Sequence, residues 1–261
     1  MSFDTLLADT DARGVVTVTL NQPDKRNALS ETMIAELTAF ARGPGAKARA
    51  VVLRGAGKLF CAGGDLDWMR RQIDADRATR MTEARKLAMM LNALNEMPSP
   101  LIARVHGGAF GGGVGLMAVA DVVVAGAGAK FGLTETRLGL IPATIGPYVL
   151  ARMGEGMARR VFHIPRIFDA PEAERLGLVA RVVPEADLDA AVEAFVKPCL
   201  TAAPGAVAAA KSLARALGPV IDGGTIDDSI RRLADTWEQP EAAEGIAAFF
   251  AGRPPGWSAG D

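Results

Sequence analysis

60-FCAGGDLDWM-69 and 106-HGGAFGGGVGLMAVAD-121 are the two glycine-bearing segments that decide how this chain is interpreted. Each follows an apolar run that predicts a strand, residues 49–55 and 101–106, and each opens onto a helical pattern. The first N–H groups of a helix have no partner within it, and the helix dipole favours negative charge at that end. Either segment alone would be an ordinary strand-to-helix turn. Brought together, the two turns could direct two N–H groups at one developing oxyanion.

The first 140 residues repeat a strand–turn–helix pattern. Valine alternates with threonine in 14-GVVTVTL-20, which is the period of a half-exposed strand. Ser30 can cap a helix over 31–42 that ends at the break 43-GPG-45. The same reasoning predicts strands over 49–54, 101–105 and 121–126, and helices over 66–97 and from the second glycine turn to about residue 120. Such a repeat is typical of an α/β architecture.

The pattern changes after about residue 143, where helices are predicted with little strand. The predicted helices cover 143–162, 170–177, 186–201, 204–217, 225–236 and 240–250. No low-complexity linker separates the two parts of the chain. We therefore predict one α/β core over 1–185 that carries a C-terminal helical region over 186–261.

Composition excludes several classes of function. The chain has 261 residues, 49% of them hydrophobic, and a net charge of −1, which provides no electrostatic basis for binding nucleic acid or an anionic membrane. Cys61 and Cys199 form neither a disulfide framework nor a metal-binding pattern. The N-terminus lacks the basic and apolar regions of a signal peptide, and no apolar stretch is long enough to span a membrane. A soluble cytoplasmic protein without a metal site is expected.

Six motifs, in this order along the chain, resemble the crotonase (enoyl-CoA hydratase/isomerase) superfamily. They are 21-NQPDKRNALS-30, F-x-A-G-x-D-L at 60–66, 107-GGAFGGGVGL-116, 130-KFGLTETRLGLIP-142, 172-EAERLGLVARVV-183 and 245-GIAAFFAGRPP-255. The resemblance implies a spiral of ββα units whose C-terminal helices build trimers, often paired into hexamers. It also implies an acyl-CoA thioester as ligand, with CoA as part of the substrate and no separate cofactor.

On the matching positions, the resemblance implies an oxyanion hole formed by the backbone N–H groups of Ala62 and Gly112. Both residues lie in the paired glycine turns. Two hydrogen bonds to a thioester carbonyl would stabilise the enolate that forms when a nucleophile adds at C3 or a proton leaves C2.

The acid–base chemistry is predicted to depend on one glutamate. Family hydratases usually carry two; here one of the two positions is Gly115, and the other is Glu135. A carboxyl group in an apolar acyl pocket has a raised pKa, so Glu135 could both give and take protons. Three functions stay open: an enoyl-CoA hydratase, an enoyl-CoA isomerase that uses the same site, and a catalytically inactive acyl-CoA-binding protein.

The resemblance is greatest to hydratases of branched, carboxylated enoyl-CoAs such as methylglutaconyl-CoA. Gly115 is expected to leave extra room for such an acyl group and to remove a charge that would repel it. Tyr148, the only tyrosine, is interpreted either as a residue that orients water or binds a substrate carboxylate, or as part of the pocket wall. The other predicted substrate- and CoA-binding residues are Lys25, Arg26, Ala28, Gly64, Asp65, Leu66, Trp68, Met69 and Leu138.

Overall fold

A computed structural model describes residues 2–258 of the chain. Its strands form two β-sheets, and helices cover them. The strands are β1 (Leu6–Thr10), β2 (Val15–Leu20), β3 (Ala50–Gly55), β4 (Leu101–Val105), β5 (Gly108–Phe110), β6 (Val122–Gly126), β7 (Lys130–Gly132), β8 (Ile167–Asp169) and β9 (Arg181–Val183).

The helices follow the strands in the N-terminal part and dominate the C-terminal part. They are α1 (Glu31–Arg42), α2 (Pro44–Lys47), α3 (Leu66–Ile73), α4 (Arg77–Glu96), α5 (Gly112–Val119), α6 (Gly146–Met153), α7 (Glu155–Phe162), α8 (Ala170–Arg175), α9 (Leu188–Thr201), α10 (Pro204–Leu217), α11 (Gly223–Trp237) and α12 (Pro240–Ala251). A short 3-10 helix over Glu135–Leu138 is called the Glu135 turn below. Within the described residues, none of these helices has the length and apolar character needed to cross a bilayer.

The larger sheet has the strand order β1-β2-β3-β4-β6-β9. β1 pairs antiparallel with β2, and every later pair in this sheet is parallel. The smaller sheet joins β5 to β7 in parallel and β7 to β8 antiparallel. Parallel neighbours need crossover connections, which here are largely helical. The prediction of an α/β fold with a helical C-terminal region is confirmed.

The inner strands of the larger sheet are buried on both faces. Leu53 and Ala103 belong to the main hydrophobic core, whereas Val52 and Ile102 belong to a second core on the opposite face. Helix α9 covers that second face with Leu188, Val192 and Val196. Burial on both faces explains why these strands appear in the sequence as continuous apolar runs and not as alternating patterns.

Several predicted elements are confirmed and others are divided. Helix α1 has the predicted bounds, and the Ser30 hydroxyl accepts the N–H of Met33 at 3.3 Å. The single helix predicted over 66–97 is two helices, because Asp74 follows the end of α3 and Asp76 caps α4. The helix predicted over 143–162 is likewise divided, at Gly154 with φ 73°. Short strands such as β8 and β9 were not predicted, because three residues are too few to show a period.

The two glycine turns lie side by side at one edge of the larger sheet. β3 and β4 are parallel neighbours, so the chain leaves both strands at the same edge. Three backbone hydrogen bonds then join the segments: Phe60 N–H donates to His106 O (3.1 Å), Cys61 N–H to Gly108 O (3.3 Å) and Phe110 N–H to Cys61 O (3.1 Å). This pairing positions the candidate site.

Asn27 holds a third segment against the first glycine turn. It is fully buried and has φ 53°. Its Nδ2 donates to the carbonyls of Ala56 and Leu59, both at 2.8 Å, and its Oδ1 accepts the N–H of Gln22 at 3.0 Å. Asparagine tolerates a left-handed backbone better than most residues. Asn27 can therefore adopt this turn conformation and also hydrogen bond to the segment before the first glycine turn.

Asn27→Ala should therefore destabilise the fold strongly. The variant loses three hydrogen bonds, leaves two partly buried carbonyls without those donors and strains the backbone, which together should cost about 2–4 kcal/mol. Urea unfolding followed by circular dichroism measures the free energy of unfolding. Asn21→Ala is the control, because Asn21 bonds across the sheet through its backbone N–H, to Thr5 O at 2.8 Å. Equal losses for the two variants would contradict the assigned role.

Candidate active site

A cleft of about 1120 Å³ opens beside the paired glycine turns. Backbone of both turns and the Glu135 turn line one part of it. Leu233 and Trp237 of α11 and Phe249 of α12 line another part, so the C-terminal helices of the chain close its own cleft. The cleft thus combines peptide N–H groups, the acidic residues Asp24 and Glu135, and an apolar wall.

Gly64 and Gly112 supply the N–H groups that are free to bind a ligand. Gly112 is the first residue of α5, where an N–H has no earlier helical carbonyl to bind. The N–H of Gly64 donates to no acceptor within residues 2–258, and the position where a Cβ would stand at Gly64 is open space. A Cβ on the intervening Gly63 would lie 3.5 Å from Gly112 N, so the two segments are in contact.

The prediction that Ala62 supplies an oxyanion donor is corrected by its hydrogen bond. Ala62 N–H already donates to Arg26 O at 3.0 Å, so this hydrogen is used inside the protein. Two residues later, the N–H of Gly64 has no acceptor within residues 2–258 and can bind a ligand. The sequence predicts Gly64 only as a CoA contact. The sequence motif located the turn, but the carbonyl that accepts the N–H of Ala62 belongs to a separate segment.

Glu135 is the carboxyl group that lies against the second glycine turn. Its Oε2 is inaccessible to solvent and has no hydrogen-bond partner within the described residues. Its Oε1 lies against Gly111, where a Cβ would stand 3.2 Å away. Burial raises the pKa of Glu135 from 4.5 to about 7, and hydrogen bonds from backbone N–H groups offset this only partly. The group is therefore balanced between its acid and base forms near neutral pH.

Gly115 does not enlarge the cleft, contrary to the prediction. A Cβ at this position would lie 2.5 Å from Ile145 Cγ2 and 3.2 Å from Leu91 Cδ1. Gly115 is buried in α5 and is not among the residues that line the cleft. The space of a second glutamate is filled by these two side chains, so glycine here permits close packing and provides no room for the ligand.

Tyr148 is a core residue and does not reach the substrate. It is 2% exposed, and its hydroxyl donates to Ala88 O at 2.9 Å. Burial raises the pKa of this hydroxyl, which is the direction expected for a phenol held neutral in the core. Both interpretations of Tyr148 are therefore wrong: it neither orients water nor binds a carboxylate, and it is not among the residues that line the cleft.

The remaining predicted residues divide between the cleft and its support. Those that line the cleft are Arg26, Leu66, Trp68, Met69 and Leu138. Lys25, Ala28 and Asp65 do not line it. The Asp65 carboxylate caps α3 by accepting the N–H of Trp68 at 2.9 Å, and Lys25 lies 3.8 Å from Asp65 and 3.4 Å from Asp67.

Sequence reasoning missed the wall contributed by α11 and α12. Their apolar faces indicate burial, but periodicity does not show which surface such a face covers. Thr144, which also lines the cleft, was missed because its neighbours in the sequence do not indicate which surface it faces. Among residues 2–258, no group of histidine, cysteine or acidic side chains is placed to hold a metal ion.

Known proteins match this chain over nearly its whole length. The family model described as enoyl-CoA hydratase/isomerase matches residues 10–260. A Rhizobium meliloti protein named as a probable enoyl-CoA hydratase is 36% identical in an alignment that covers 97% of this chain and 97% of that one. An enoyl-CoA hydratase structure from Mycobacterium avium is 30% identical with a TM-score of 0.84, covering 98% of this chain and 100% of that one. Pseudomonas aeruginosa AtuE is 40% identical with a TM-score of 0.79 and the same coverage.

Amide hydrogen exchange should distinguish the two candidate oxyanion donors. In the free protein, Gly64 N–H should exchange fast and Ala62 N–H slowly, because only the latter is hydrogen bonded. Saturating butyryl-CoA should slow exchange at Gly64 and Gly112 while Ala62 changes little. The measurement is exchange followed by nuclear magnetic resonance. Protection by the ligand at Ala62 without any at Gly64 would restore the original assignment.

The raised pKa of Glu135 should also appear in the pH dependence of stability. The folded state holds this proton more tightly than the unfolded state, so stability is lost as pH rises from about 4.5 to about 7. Between about pH 5 and about pH 8, wild type should lose about 2 kcal/mol more than Glu135→Gln. Urea unfolding at both pH values measures this, with Glu155→Gln at an exposed position of α7 as control. Identical pH dependence in wild type and Glu135→Gln would mean that the carboxyl group is not desolvated.

Proposed function

The chain belongs to the enoyl-CoA hydratase/isomerase family, and we propose that it adds water across the 2,3 double bond of an enoyl-CoA thioester. One observation carries the proposal: Glu135, a half-buried residue whose Oε2 is inaccessible to solvent, shares a cleft with two backbone N–H groups that have no acceptor within residues 2–258. The names of the relatives support hydration over other reactions of a thioester.

The proposed step stabilises negative charge at one place and moves protons at another. The thioester oxygen accepts hydrogen bonds from Gly64 and Gly112 as water adds at C3 and charge develops on that oxygen. Glu135 gives its proton to C2 through one oxygen, and its other oxygen takes a proton from the attacking water. The hydroxyl group ends on C3 and the hydrogen on C2, and Glu135 returns to its initial protonation state.

Isomerisation is a second candidate, and one observation favours it. The space beside Gly115 is occupied by Ile145 and Leu91, so a second glutamate cannot stand there to activate water. Moving a proton between C4 and C2 needs only one base, and Glu135 suffices for it. Both reactions would use the same oxyanion donors and the same carboxyl group.

The proposed preference for branched or carboxylated acyl groups now rests on charge alone. The cleft gains no volume at Gly115, which removes the steric argument. What remains is that a neutral residue stands where a second carboxylate would repel an anionic acyl group. Methylglutaconyl-CoA therefore belongs in the substrate panel beside linear enoyl-CoAs.

Product mass separates the candidates directly. The protein is incubated with crotonyl-CoA, a 3-enoyl-CoA and methylglutaconyl-CoA while thioester absorbance and product mass are recorded. Hydration adds the mass of one water, whereas isomerisation leaves the mass unchanged. We expect the first result with at least one 2-enoyl-CoA. Unchanged mass with absorbance change indicates an isomerase, and no change with any substrate despite binding indicates an inactive acyl-CoA-binding protein.

Glu135→Gln should lower turnover by about 100-fold or more, because the amide keeps the shape but cannot transfer the proton. Binding of butyryl-CoA, measured by calorimetry, should survive. Glu155→Gln is the matched control and should keep wild-type turnover. Near wild-type turnover in Glu135→Gln would end the single-glutamate mechanism.

A further inference from the structure

Helix α12 lies against the Glu135 turn with backbone touching backbone. A Cβ at Gly245 of α12 would lie 2.6 Å from the carbonyl carbon of Leu138, 2.7 Å from its oxygen and 2.9 Å from its Cα. Real side chains do not approach backbone this closely, so any residue larger than glycine must displace either the helix or the turn. Gly245 is buried within α12, where glycine is otherwise unfavourable.

The contact is reciprocal. Gly139 ends the Glu135 turn with φ 69°, and a Cβ there would lie 2.5 Å from the carbonyl carbon of Glu241 and 2.7 Å from Ala242 N. One glycine on each side thus allows the two backbones to meet. Around them, Leu140, Ala242 and Ile246 form a small buried cluster against which Leu138 packs.

The backbone N–H groups that hydrogen bond to the Glu135 carboxyl belong to Thr134 and Glu135 themselves, so they move with the turn. The Glu135 Oε2 has no partner within residues 2–258, so no neighbouring side chain holds that oxygen in place. The orientation of the carboxyl group therefore follows from where the backbone of the turn lies. Within the turn, Leu140 N–H donates to Glu135 O at 3.1 Å and Arg137 N–H to Thr134 O at 3.0 Å, which makes it one compact unit. A shift of the unit carries the carboxyl group with it.

We propose that Gly245 is a positioning residue, through which α12 sets the place of the Glu135 carboxyl group relative to the N–H groups of Gly64 and Gly112. This inference rests on the proposed function, since it concerns the same site. It assigns to the C-terminal helix a task inside its own subunit. Reaction geometry tolerates little displacement, so the contact should affect turnover more than binding.

Gly245→Ala tests the proposal. The added methyl group should displace the turn, lowering kcat by about 10-fold or more while KM changes by less than about 3-fold. Turnover is expressed per site that binds butyryl-CoA, so that partial unfolding does not count as a loss of kcat. Gly205→Ala is the matched control: it is also a helical glycine, in α10, but with no atom within 4 Å of its added Cβ. It should keep wild-type kcat and KM.

A second pair of variants keeps the test decisive if Gly245→Ala does not fold. Ile246→Val trims the same contact without adding volume and should lower kcat per site by about 3-fold, with KM unchanged. Ile226→Val removes the same methyl group from a different buried cluster, in α11, and should cost similar stability without changing kcat. Thermal unfolding of both confirms that the losses of stability are matched.

The outcomes separate this inference from the function on which it rests. A wild-type protein without hydration or isomerisation contradicts the proposed function. An active wild type whose Gly245→Ala and Ile246→Val variants keep kcat per site, at lowered stability, contradicts the positioning role alone. A higher KM with unchanged kcat in Gly245→Ala would also contradict the positioning role, because α12 would then affect substrate binding only.

Discussion

The close meeting of two glycine turns is the constraint on which the rest of the site depends. Backbone hydrogen bonds join residues 60–61 to residues 106–110, and there is no room for a side chain at the glycines where the turns meet. A Cβ at Gly113 would lie 2.6 Å from Cys61 O, and one at Gly63 would lie 2.7 Å from Phe110 O. Glycine is needed here for close approach, and at Gly63, with φ 96°, for backbone conformation as well. Only this contact brings the two free N–H groups to one cleft.

The chemistry then follows from removing water around one carboxyl group. Glu135 carries no ion pair in the described residues, so desolvation dominates its pKa and raises it to about 7. A paired carboxylate would stay ionised at neutral pH and could not supply a proton. In the proposed reaction, the lack of a charged partner among residues 2–258, which costs stability, would allow the group to act as both an acid and a base.

The C-terminal helices complete the cleft as well as extending the fold. Arg77 of α4 binds Asp235 and Glu238 at 2.6 and 2.7 Å, and Arg80 lies 5.0 Å from the ring centre of Trp237. These contacts fix α11 over the same cleft that Trp237 lines. The region expected only to build an assembly therefore also supplies the apolar wall, and α12 supports the turn that carries Glu135.

Sequence patterns alone determined the α/β class, helix α1 with its Ser30 cap and the two glycine turns. These rest on signals between residues near one another in the chain, such as capping, hydrophobic period and strand-to-helix turns. Glu135 was singled out only through the family resemblance of residues 130–142. Tertiary structure decided which N–H can bind a ligand, because Arg26 O accepts the N–H of Ala62, whereas the N–H of Gly64 has no acceptor within residues 2–258. It also decided that Tyr148 and Gly115 belong to the core, since Ala88, Ile145 and Leu91 approach them from other elements. A residue's partner across the fold leaves no local trace in the sequence, and such partners determine which groups in the turns remain available for chemistry.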